Sequence, residues 1–381
     1  MQINKLSDER RIEFRTRLKS SVFLLILSAL YILFAFLADS RHESNDPKHI
    51  SKNGFAFYLP LWANSIFACL IMLGIFAILY FIALELDNCF IKSQHSKRVI
   101  IPLWLLIAVP FTSLCILILY SVYWGKNADW KQISPIIYFG IFIAMFIIIL
   151  PLVLIIKKSN NYNKFNGFYF PFICMVILVA LSGIVYLTIV RGAVTILFIV
   201  LIPICSDTGG YFFGVFFGKH KMAPKLSPKK TWEGVIGSFF MAFAVAALLL
   251  YLFGIGYANS RFQLQGNVLG NQWNQAAAKN DGINPGEIGW WFLIICVLTL
   301  LVFCSIFGDL FFSLFKRKNG LKDYSNLIKG HGGVLDRIDS WIIVFAVFFM
   351  ITILTSGIST IASGWQNANR IFNCYYVDPT V

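Results

Sequence analysis

The chain has 381 residues, of which 58% are hydrophobic and only 13% are charged. This composition excludes a soluble globular domain, in which about a quarter of the residues are charged. The net charge of +14 follows from cations that set membrane topology and contact anionic lipids, so it does not indicate a nucleic-acid partner.

Apolar runs along the chain predict membrane-spanning helices, since a helix needs about 20 apolar residues to cross the hydrocarbon core. The predicted spans are 20–38, 61–83, 99–123, 135–156, 167–190, 192–205, 234–256, 289–311 and 340–360. The sixth run is short and contains Pro203, which indicates a broken or partial span. We therefore predict an all-α polytopic integral membrane protein with about nine transmembrane helices.

The distribution of cations predicts a cytoplasmic N-terminus. The alternate loops are then cytoplasmic, and they carry 23 of the 32 Lys and Arg residues, as the positive-inside rule requires. These loops are 1–19, 85–98, 157–166, 206–233 and 312–339. We expect a multi-pass protein of the plasma membrane whose active site faces the cytoplasm.

The chain divides into two unlike parts. Residues 1–165 contain transmembrane helices to which no role can be assigned, and 166–381 form the predicted catalytic transmembrane domain with cytoplasmic polar segments 206–233 and 312–339. The exterior loop 257–288 is rich in Asn, Gln and Gly. The eight Cys residues contain no CxxC pair, so neither a disulfide framework nor a zinc site is predicted.

The first polar segment combines glycines with charge. Gly210, Gly214 and Gly218 recur every four residues and line one face of a helix that another backbone can approach closely. Lys229 and Lys230 present two cations, which at a membrane surface are usually headgroup contacts or topology anchors. Asp207 follows directly on an apolar span, where a carboxylate is costly unless it has a partner or a function.

The second polar segment carries three carboxylates at the membrane boundary. Asp309 lies near the end of an apolar run, and Asp336 and Asp339 are three residues apart just before the next run. On a helix that spacing places both carboxylates on one face. Carboxylate oxygens suit a hard cation such as Mg²⁺, so these three residues are the predicted metal ligands.

Glycines and cations surround those carboxylates. Gly330, Gly332 and Gly333 allow backbone conformations that expose amides to an anion. Four cations are placed to neutralise phosphate, namely Lys316, Arg317, Lys322 and Arg337. The chain contains no nucleophile elbow, HExxH motif, Walker lysine or GxGxxG. The residue types therefore favour phosphoryl or nucleotidyl transfer, in which positioning and charge neutralisation do most of the work.

The stretch from Ser313 to Asp339, called the signature segment below, resembles the signature of the phosphatidate cytidylyltransferase family, also called CDP-diacylglycerol synthases. The matching residues are Ser313, Phe315, Lys316, Arg317, Lys322, Asp323, Ser325, Ile328, His331, Gly332, Gly333, Val334, Asp336, Arg337, Ile338 and Asp339. Lys329 stands where the family usually has Pro. The first polar segment also resembles a second block of the family, and the likeness covers about 190 to 340.

The resemblance implies transfer of a cytidylyl group from CTP to phosphatidate, which gives CDP-diacylglycerol and pyrophosphate for phospholipid biosynthesis. It implies that Asp309 and Asp336, with Asp339 close by, hold Mg²⁺ and a companion monovalent cation such as K⁺. Lys322 and Arg337 join these carboxylates as predicted catalytic residues. The residues expected to bind substrate are Lys229, Lys230, Lys316, Arg317, Asp323, His331, Gly332, Gly333 and Asp207.

Several alternatives stay open at this stage. His331 is a phosphate donor, a loop residue or a general base, and the first two fit a nucleophile that is already an anion. Asp207 and Asp323 are either ligands or partners in loop salt bridges. A CTP-dependent lipid kinase, a synthase for ether lipids and an ion-coupled transporter remain rival functions. The family tends to form homodimers, but neither the oligomeric state nor the acyl-chain preference can be read from the sequence.

Overall fold

The computed structural model describes the chain at residues 22, 26–27, 29–35, 61–91, 149–157, 163–188, 193–224, 226–253, 285–328, 332–352 and 354. The predicted span 99–123, most of 135–156 and most of loop 257–288 lie outside these residues, and so does His331.

The described part of the chain is mostly helical. Its helices are α1 (Leu61–Leu86), which continues into a π-helical turn (Asp87–Ile91), α2 (Ile149–Lys157), α3 (Lys164–Tyr186), α4 (Ala193–Phe216), α5 (Trp232–Phe253), α6 (Pro285–Lys318) and α7 (335–352). Another helical stretch covers 29–35. Between α4 and α5, β1 (Lys221–Ala223) pairs antiparallel with β2 (Ser227–Thr231).

Five helical stretches in the described residues are long and apolar enough to cross a membrane. They are Ile66–Ile91, Lys164–Tyr186, Thr195–Phe216, Trp232–Leu249 and Ile294–Lys318, and each coincides with a predicted span. Large apolar side chains such as Leu73 (64% exposed) and Phe240 (63% exposed) cover their outer surface. A mostly helical membrane protein is thus confirmed, whereas the total of nine spans and the sidedness stay predictions.

The sixth predicted span is not broken. Helix α4 runs without interruption from Ala193 through Pro203 to Phe216, because other groups in a helical bundle can satisfy the backbone groups that an internal proline frees. Asp207 therefore lies on a helix and not in the predicted loop. The hairpin of β1 and β2 is a second difference, since the sequence predicted helices alone.

Glycines allow α4 and α5 to pack backbone to backbone. A Cβ atom on Gly210 would lie 2.6 Å from Ser238 Oγ, and one on Gly234 would lie 2.8 Å from the carbonyl oxygen of Gly210. Ser238 Oγ donates to the carbonyl oxygen of Ser206 at 2.7 Å across the same interface. The predicted glycine face is confirmed for Gly210 and Gly214, where larger side chains would separate the two helices, whereas Gly218 lies beyond the end of α4.

Aromatic and amide contacts bring three helix ends together. The Phe315 ring on α6 lies 5.8 Å from the ring of Phe90 and 5.5 Å from that of Phe165, measured between centroids. Asn166 Nδ2 donates to Asn319 Oδ1 at 2.9 Å. The C-terminal end of α1, the N-terminal end of α3 and the C-terminal end of α6 therefore lie at one end of the bundle. Each of these helix ends lies within a segment predicted to be a cytoplasmic loop.

Candidate active site

Helices α6 and α7 meet closely beside two of the predicted carboxylates. A Cβ atom on Gly308 would lie 3.1 Å from the backbone oxygen of Asp339 and 3.1 Å from the Cα atom of Ser340. The glycine thus permits residues 339–340 of α7 to pack closely against α6 beside Asp309, the next residue of α6. Asp339 is only 7% exposed, and its Oδ1 accepts a hydrogen bond from the amide of Ser340 at 2.7 Å.

Three carboxylates share this neighbourhood. Burial raises the pKa of Asp339 to about 7, and the negative charges of Asp309 and Asp207 add to this effect, whereas Lys316 opposes it. Asp339 directly precedes the predicted span 340–360, so we expect it to lie at the bilayer edge. Partly buried carboxylates that disfavour one another's ionisation are stabilised by an added cation.

The hairpin places a lysine next to one carboxylate of this cluster. Lys230 on β2 places its Nζ 2.8 Å from Oδ2 of Asp309, and both side chains are partly exposed. Thr231 ends β2 and accepts a hydrogen bond on its Oγ1 from the amide of Gly234 at 3.1 Å, which caps the start of α5. The structure thus brings together Lys230 and Asp309, which are 79 residues apart in the sequence. The side chain of Lys229 lies outside the described atoms.

The carboxylate of Asp336 has a different environment. Its Oδ1 lies 2.8 Å from Nζ of Lys316, and its Oδ2 accepts hydrogen bonds from the amides of Tyr324 and Gly333, each at 2.8 Å. Its side chain is 3% exposed. Asp336 therefore anchors the signature segment in this structure, and Lys316 compensates its charge. The expected roles in metal binding and phosphate contact stay predictions for these two residues.

Tyr324 adds to the same anchor. Its hydroxyl donates to the carbonyl oxygen of Phe312 at 3.1 Å, and its ring centroid lies 5.4 Å from Nζ of Lys316. Burial raises the pKa of Tyr324 well above its usual value, so the hydroxyl keeps its proton and its hydrogen bond. The sequence analysis did not single out this residue, because an isolated Tyr in a polar stretch carries no distinguishing pattern.

A glycine ends α6 and lets the chain turn into the loop that contains Tyr324. Gly320 has a φ of 72°, a conformation that favours glycine. The amide of Leu321 donates to the carbonyl of Lys316 at 2.8 Å, and the amide of Gly320 donates to that of Arg317 at 3.2 Å. These two bonds form a Schellman motif, which satisfies the last carbonyls of the helix.

Glu85, at the end of α1, is a site residue that the sequence analysis missed. It is 1% exposed and accepts hydrogen bonds from the amides of Val334 and Leu335, each at 2.7 Å, and from the hydroxyl of Ser325 at 2.8 Å. One signal was available, because a carboxylate directly after an apolar run needs a partner or a function. That partner lies some 240 residues further along the chain, which no local pattern reports.

The glycines of the signature segment allow its backbone to approach Glu85 and Asp336 closely. Gly332 has a φ of 84°, and a Cβ atom on Gly333 would lie 2.5 Å from Oε1 of Glu85. The amide of Gly333, one of the three glycines expected to help cradle a phosphate, donates to Asp336, and the next two amides donate to Glu85. These three amides thus bind carboxylates of the chain in this structure, and the substrate role of Gly333 stays a prediction.

The remaining predicted site residues lie on the surface of the same end of the bundle. Lys322, Asp323 and Arg337 are exposed, and so are Arg317 and Asp207. Exposed cations at this end are accessible to a soluble anion, in contrast to Lys316, which is 8% exposed.

The donor set fits a hard cation, although its geometry is incomplete. Within the described residues, no group of three His, Cys, Asp or Glu side chains has the arrangement of a metal site. Asp309 and Asp339 nevertheless lie in one charge cluster with Asp207, and carboxylate oxygens are the donors that Mg²⁺ prefers. Asp336 fits less well, because both of its oxygens already accept internal donors.

The pattern that defines the cytidylyltransferase family matches residues 50–355 of this chain, which is well over half of its length. The chain belongs to the cytidylyltransferase family. The match begins ahead of α1 and therefore includes Glu85 as well as both polar segments.

Named relatives agree with this assignment. The chain is 39% identical to the phosphatidate cytidylyltransferase of Haemophilus influenzae over 150 residues, which are 39% of this chain and 42% of the relative. It is 33% identical to phosphatidate cytidylyltransferase 2 of Mus musculus over 205 residues, which are 49% of this chain and 46% of that protein. The chain thus spans less than half of the length of these two relatives.

A third relative matches almost from end to end. A Mycoplasma pneumoniae protein, whose name assigns it provisionally to the same activity, is 26% identical over 383 residues, which are 90% of this chain and 93% of the relative. The likeness to this relative therefore extends over most of the residues ahead of the two polar segments, for which the sequence predicts additional helices.

Proposed function

We propose that the protein transfers a cytidylyl group from CTP to phosphatidate and releases CDP-diacylglycerol and pyrophosphate. An oxygen of the phosphate monoester forms a bond to the α-phosphorus of CTP, and the bond from that phosphorus to the pyrophosphate leaving group breaks. The observation that carries the proposal is the cluster of Asp309, Asp339 and Lys230 beside the signature segment, at one end of a membrane helix bundle.

The carboxylates supply the metal site of this proposal. Asp309 and Asp339, with Asp207, would hold Mg²⁺ and a companion monovalent cation such as K⁺. Bound Mg²⁺ would neutralise phosphate charge and orient the triphosphate. Asp336 could join this set only by giving up an internal partner such as Lys316.

The cations of the chain would bind the two substrates. Lys230 already contacts a carboxylate of the cluster at 2.8 Å, so its ammonium group is placed to contact a phosphate bound there. The exposed Lys322 and Arg337 would contact the triphosphate or the lipid phosphate. The nucleophile is an anion at neutral pH, so the reaction needs no strong general base.

The location of the cluster matches these substrates. It lies at the ends of membrane helices, where a soluble nucleotide and a lipid headgroup can meet. The concentration of Lys and Arg in the loops of this end favours the cytoplasmic face of the plasma membrane.

The first experiment is conversion of phosphatidate by the purified protein in detergent micelles with CTP, in Mg²⁺ and in EDTA. We expect CDP-diacylglycerol and pyrophosphate with Mg²⁺ and neither with EDTA. A lipid panel that includes phosphatidate, diacylglycerol and an ether-linked phosphatidate analogue separates this reaction from a lipid kinase or an ether-lipid synthase. Absence of product with every lipid and nucleotide would overturn the proposal and favour transport.

Variants of the cluster test the roles of its residues. We expect Asp309→Asn and Asp339→Asn each to lower kcat/KM by about 100-fold or more, by analogy with the loss of a single group that stabilises transition-state charge, and to raise the Mg²⁺ concentration needed for half-maximal rate. Thr299→Ala, midway along α6, is the matched control. In the part of the chain that the structure describes, its hydroxyl donates to the backbone carbonyl of Ile295 in its own helix, at 2.7 Å.

A further inference from the structure

The end of α1 carries a buried carboxylate that the proposed chemistry does not use. Glu85 is 1% exposed, and all the donors that the structure gives it come from the signature segment. Its Oε1 accepts from Ser325 Oγ at 2.8 Å and from the amide of Val334 at 2.7 Å, and its Oε2 accepts from the amide of Leu335 at 2.7 Å.

These bonds hold the loop at two separate points. Ser325 lies in the first half of the loop between α6 and α7, and Val334 and Leu335 lie where α7 begins. A carboxylate at a helix N-terminus satisfies free amides and interacts favourably with the helix dipole. Glu85 therefore sets the position from which α7 extends to Asp339.

The packing around Gly333 shows that the position of this carboxylate is specified. A Cβ atom on Gly333 would lie 2.5 Å from Oε1, 2.7 Å from Cδ and 2.9 Å from Oε2 of Glu85. Any side chain at residue 333 would displace a carboxylate that three donors hold. The glycine of the signature segment and the glutamate of α1 are thus complementary in shape.

We propose that Glu85 is a positioning residue for the reaction: it holds the signature segment, and with it Asp336 and Asp339, in the geometry that binds the nucleotide and the metal. It touches no reacting atom and acts through the amides of Val334 and Leu335. The predicted catalytic domain, 166–381, is then incomplete without α1. This inference rests on the proposed function.

The test compares the wild type with Glu85→Gln, Glu85→Ala and Glu85→Asp in the full-length protein. Glutamine keeps the size of the side chain but turns an NH₂ group toward the amide of Leu335. We expect kcat to fall by about 10- to 100-fold in Glu85→Gln, the range seen when groups that orient metal ligands are removed. Glu85→Asp, which keeps both oxygens, should recover part of the rate. Glu233→Gln, the same substitution at a residue that contacts the exposed His220, is the matched control.

Amide hydrogen exchange provides a readout that does not depend on activity. We expect exchange in a peptide covering residues 333–335 to become about tenfold faster or more in Glu85→Gln, with exchange along α4 and α5 unchanged. If the wild type makes no CDP-diacylglycerol, the proposed function fails, but this measurement still tests the anchor.

A double variant tests the contact itself. Gly333→Ala should lower kcat in the wild-type background, but it should cause little further loss in Glu85→Ala, because the carboxylate it meets is gone. An active wild type whose rate and local exchange are unchanged by Glu85→Gln would overturn the inference. So would a variant that loses thermal stability but keeps the wild-type kcat in its folded fraction, since Glu85 would then be structural only.

Discussion

The two polar regions at the active end of the bundle are held by different forces. The hairpin region, residues 207–234, is fixed by close backbone packing of α4 against α5, where Gly210 and Gly234 leave no room for side chains. The signature segment, residues 313–339, is held by two buried carboxylates, Asp336 and Glu85, which accept hydrogen bonds from its backbone amides.

The difference shows two ways to order polar chain at a bilayer edge. Glycine packing acts through shape and short-range contacts between elements close in sequence. Carboxylate anchors act through charge-assisted hydrogen bonds and can join distant segments, as Glu85 joins α1 to the start of α7. The hairpin region contacts α6 at the ion pair of Lys230 with Asp309, four residues ahead of the signature segment, which contributes Asp339 to the same predicted metal cluster.

Removing a carboxylate anchor should have the largest effect. Asp336→Asn leaves the buried Lys316 without its counter-ion, and breaking a buried pair in this way costs about 3–5 kcal/mol. We expect kcat/KM to fall by about 100-fold or more together with a lower midpoint of thermal unfolding. Lys316→Met combined with Asp336→Leu should recover only the stability lost through the unpaired lysine, and no activity, because the amides of Tyr324 and Gly333 still lack their acceptor. If Asp336→Asn lost activity at an unchanged midpoint, Asp336 would be a ligand and not an anchor.

Filling the glycine interface should destabilise the other region. A Cβ atom on Gly237 would lie 2.6 Å from the backbone oxygen of Gly209 and would also meet the side chain of Phe213. We expect Gly237→Ala to lower the free energy of unfolding by about 1–3 kcal/mol, measured by denaturation in detergent. Gly74→Ala is the control, because outside its own helix backbone and its chain neighbours no atom of the described residues lies within 4 Å of the added carbon. Equal effects of the two variants would contradict the packing argument.

Neutralising Lys230, the hairpin cation that pairs with Asp309, should have an intermediate effect. Lys230→Met removes the charge placed next to Asp309, and we expect the KM for CTP to rise about tenfold, the equivalent of one charge-assisted hydrogen bond. Lys230→Arg should retain more of the affinity. Lys219→Met changes an exposed lysine before the hairpin and should leave the KM unchanged. A rise of similar size in Lys219→Met would indicate a general surface-charge effect.

The smallest effect is expected at the exposed edge of the hairpin. His220 Nδ1 lies 2.7 Å from Oε1 of Glu233, but the histidine side chain is 79% exposed. Exposed pairs contribute little to stability, so Glu233→Gln should change kcat and the midpoint of thermal unfolding only slightly, with rates within about a factor of two. A large loss of activity would show that the hairpin depends on this pair more than on glycine packing.

Much of the architecture follows from the sequence alone. The run of apolar residues determines where a helix can satisfy its backbone inside lipid, so the five described spans coincide with predicted ones. The glycine spacing on α4 predicted a close helix contact, because glycines that recur every four residues lie on one helical face and let another backbone approach it. Asp309 was expected to project from a membrane helix, and it lies on α6.

Only the tertiary structure decided which groups meet. Glu85 and Val334 are 249 positions apart, and the sequence around Glu85 does not specify which amides it accepts. The partners of Asp336 likewise depend on how the signature segment folds back on α6, and the pairing of Lys230 depends on a short hairpin whose residues favour no regular element. Residue types therefore determined what chemistry is available, whereas the three-dimensional packing determined which carboxylates serve as anchors, because a buried charge is stabilised by the donors that surround it and not by its neighbours in sequence.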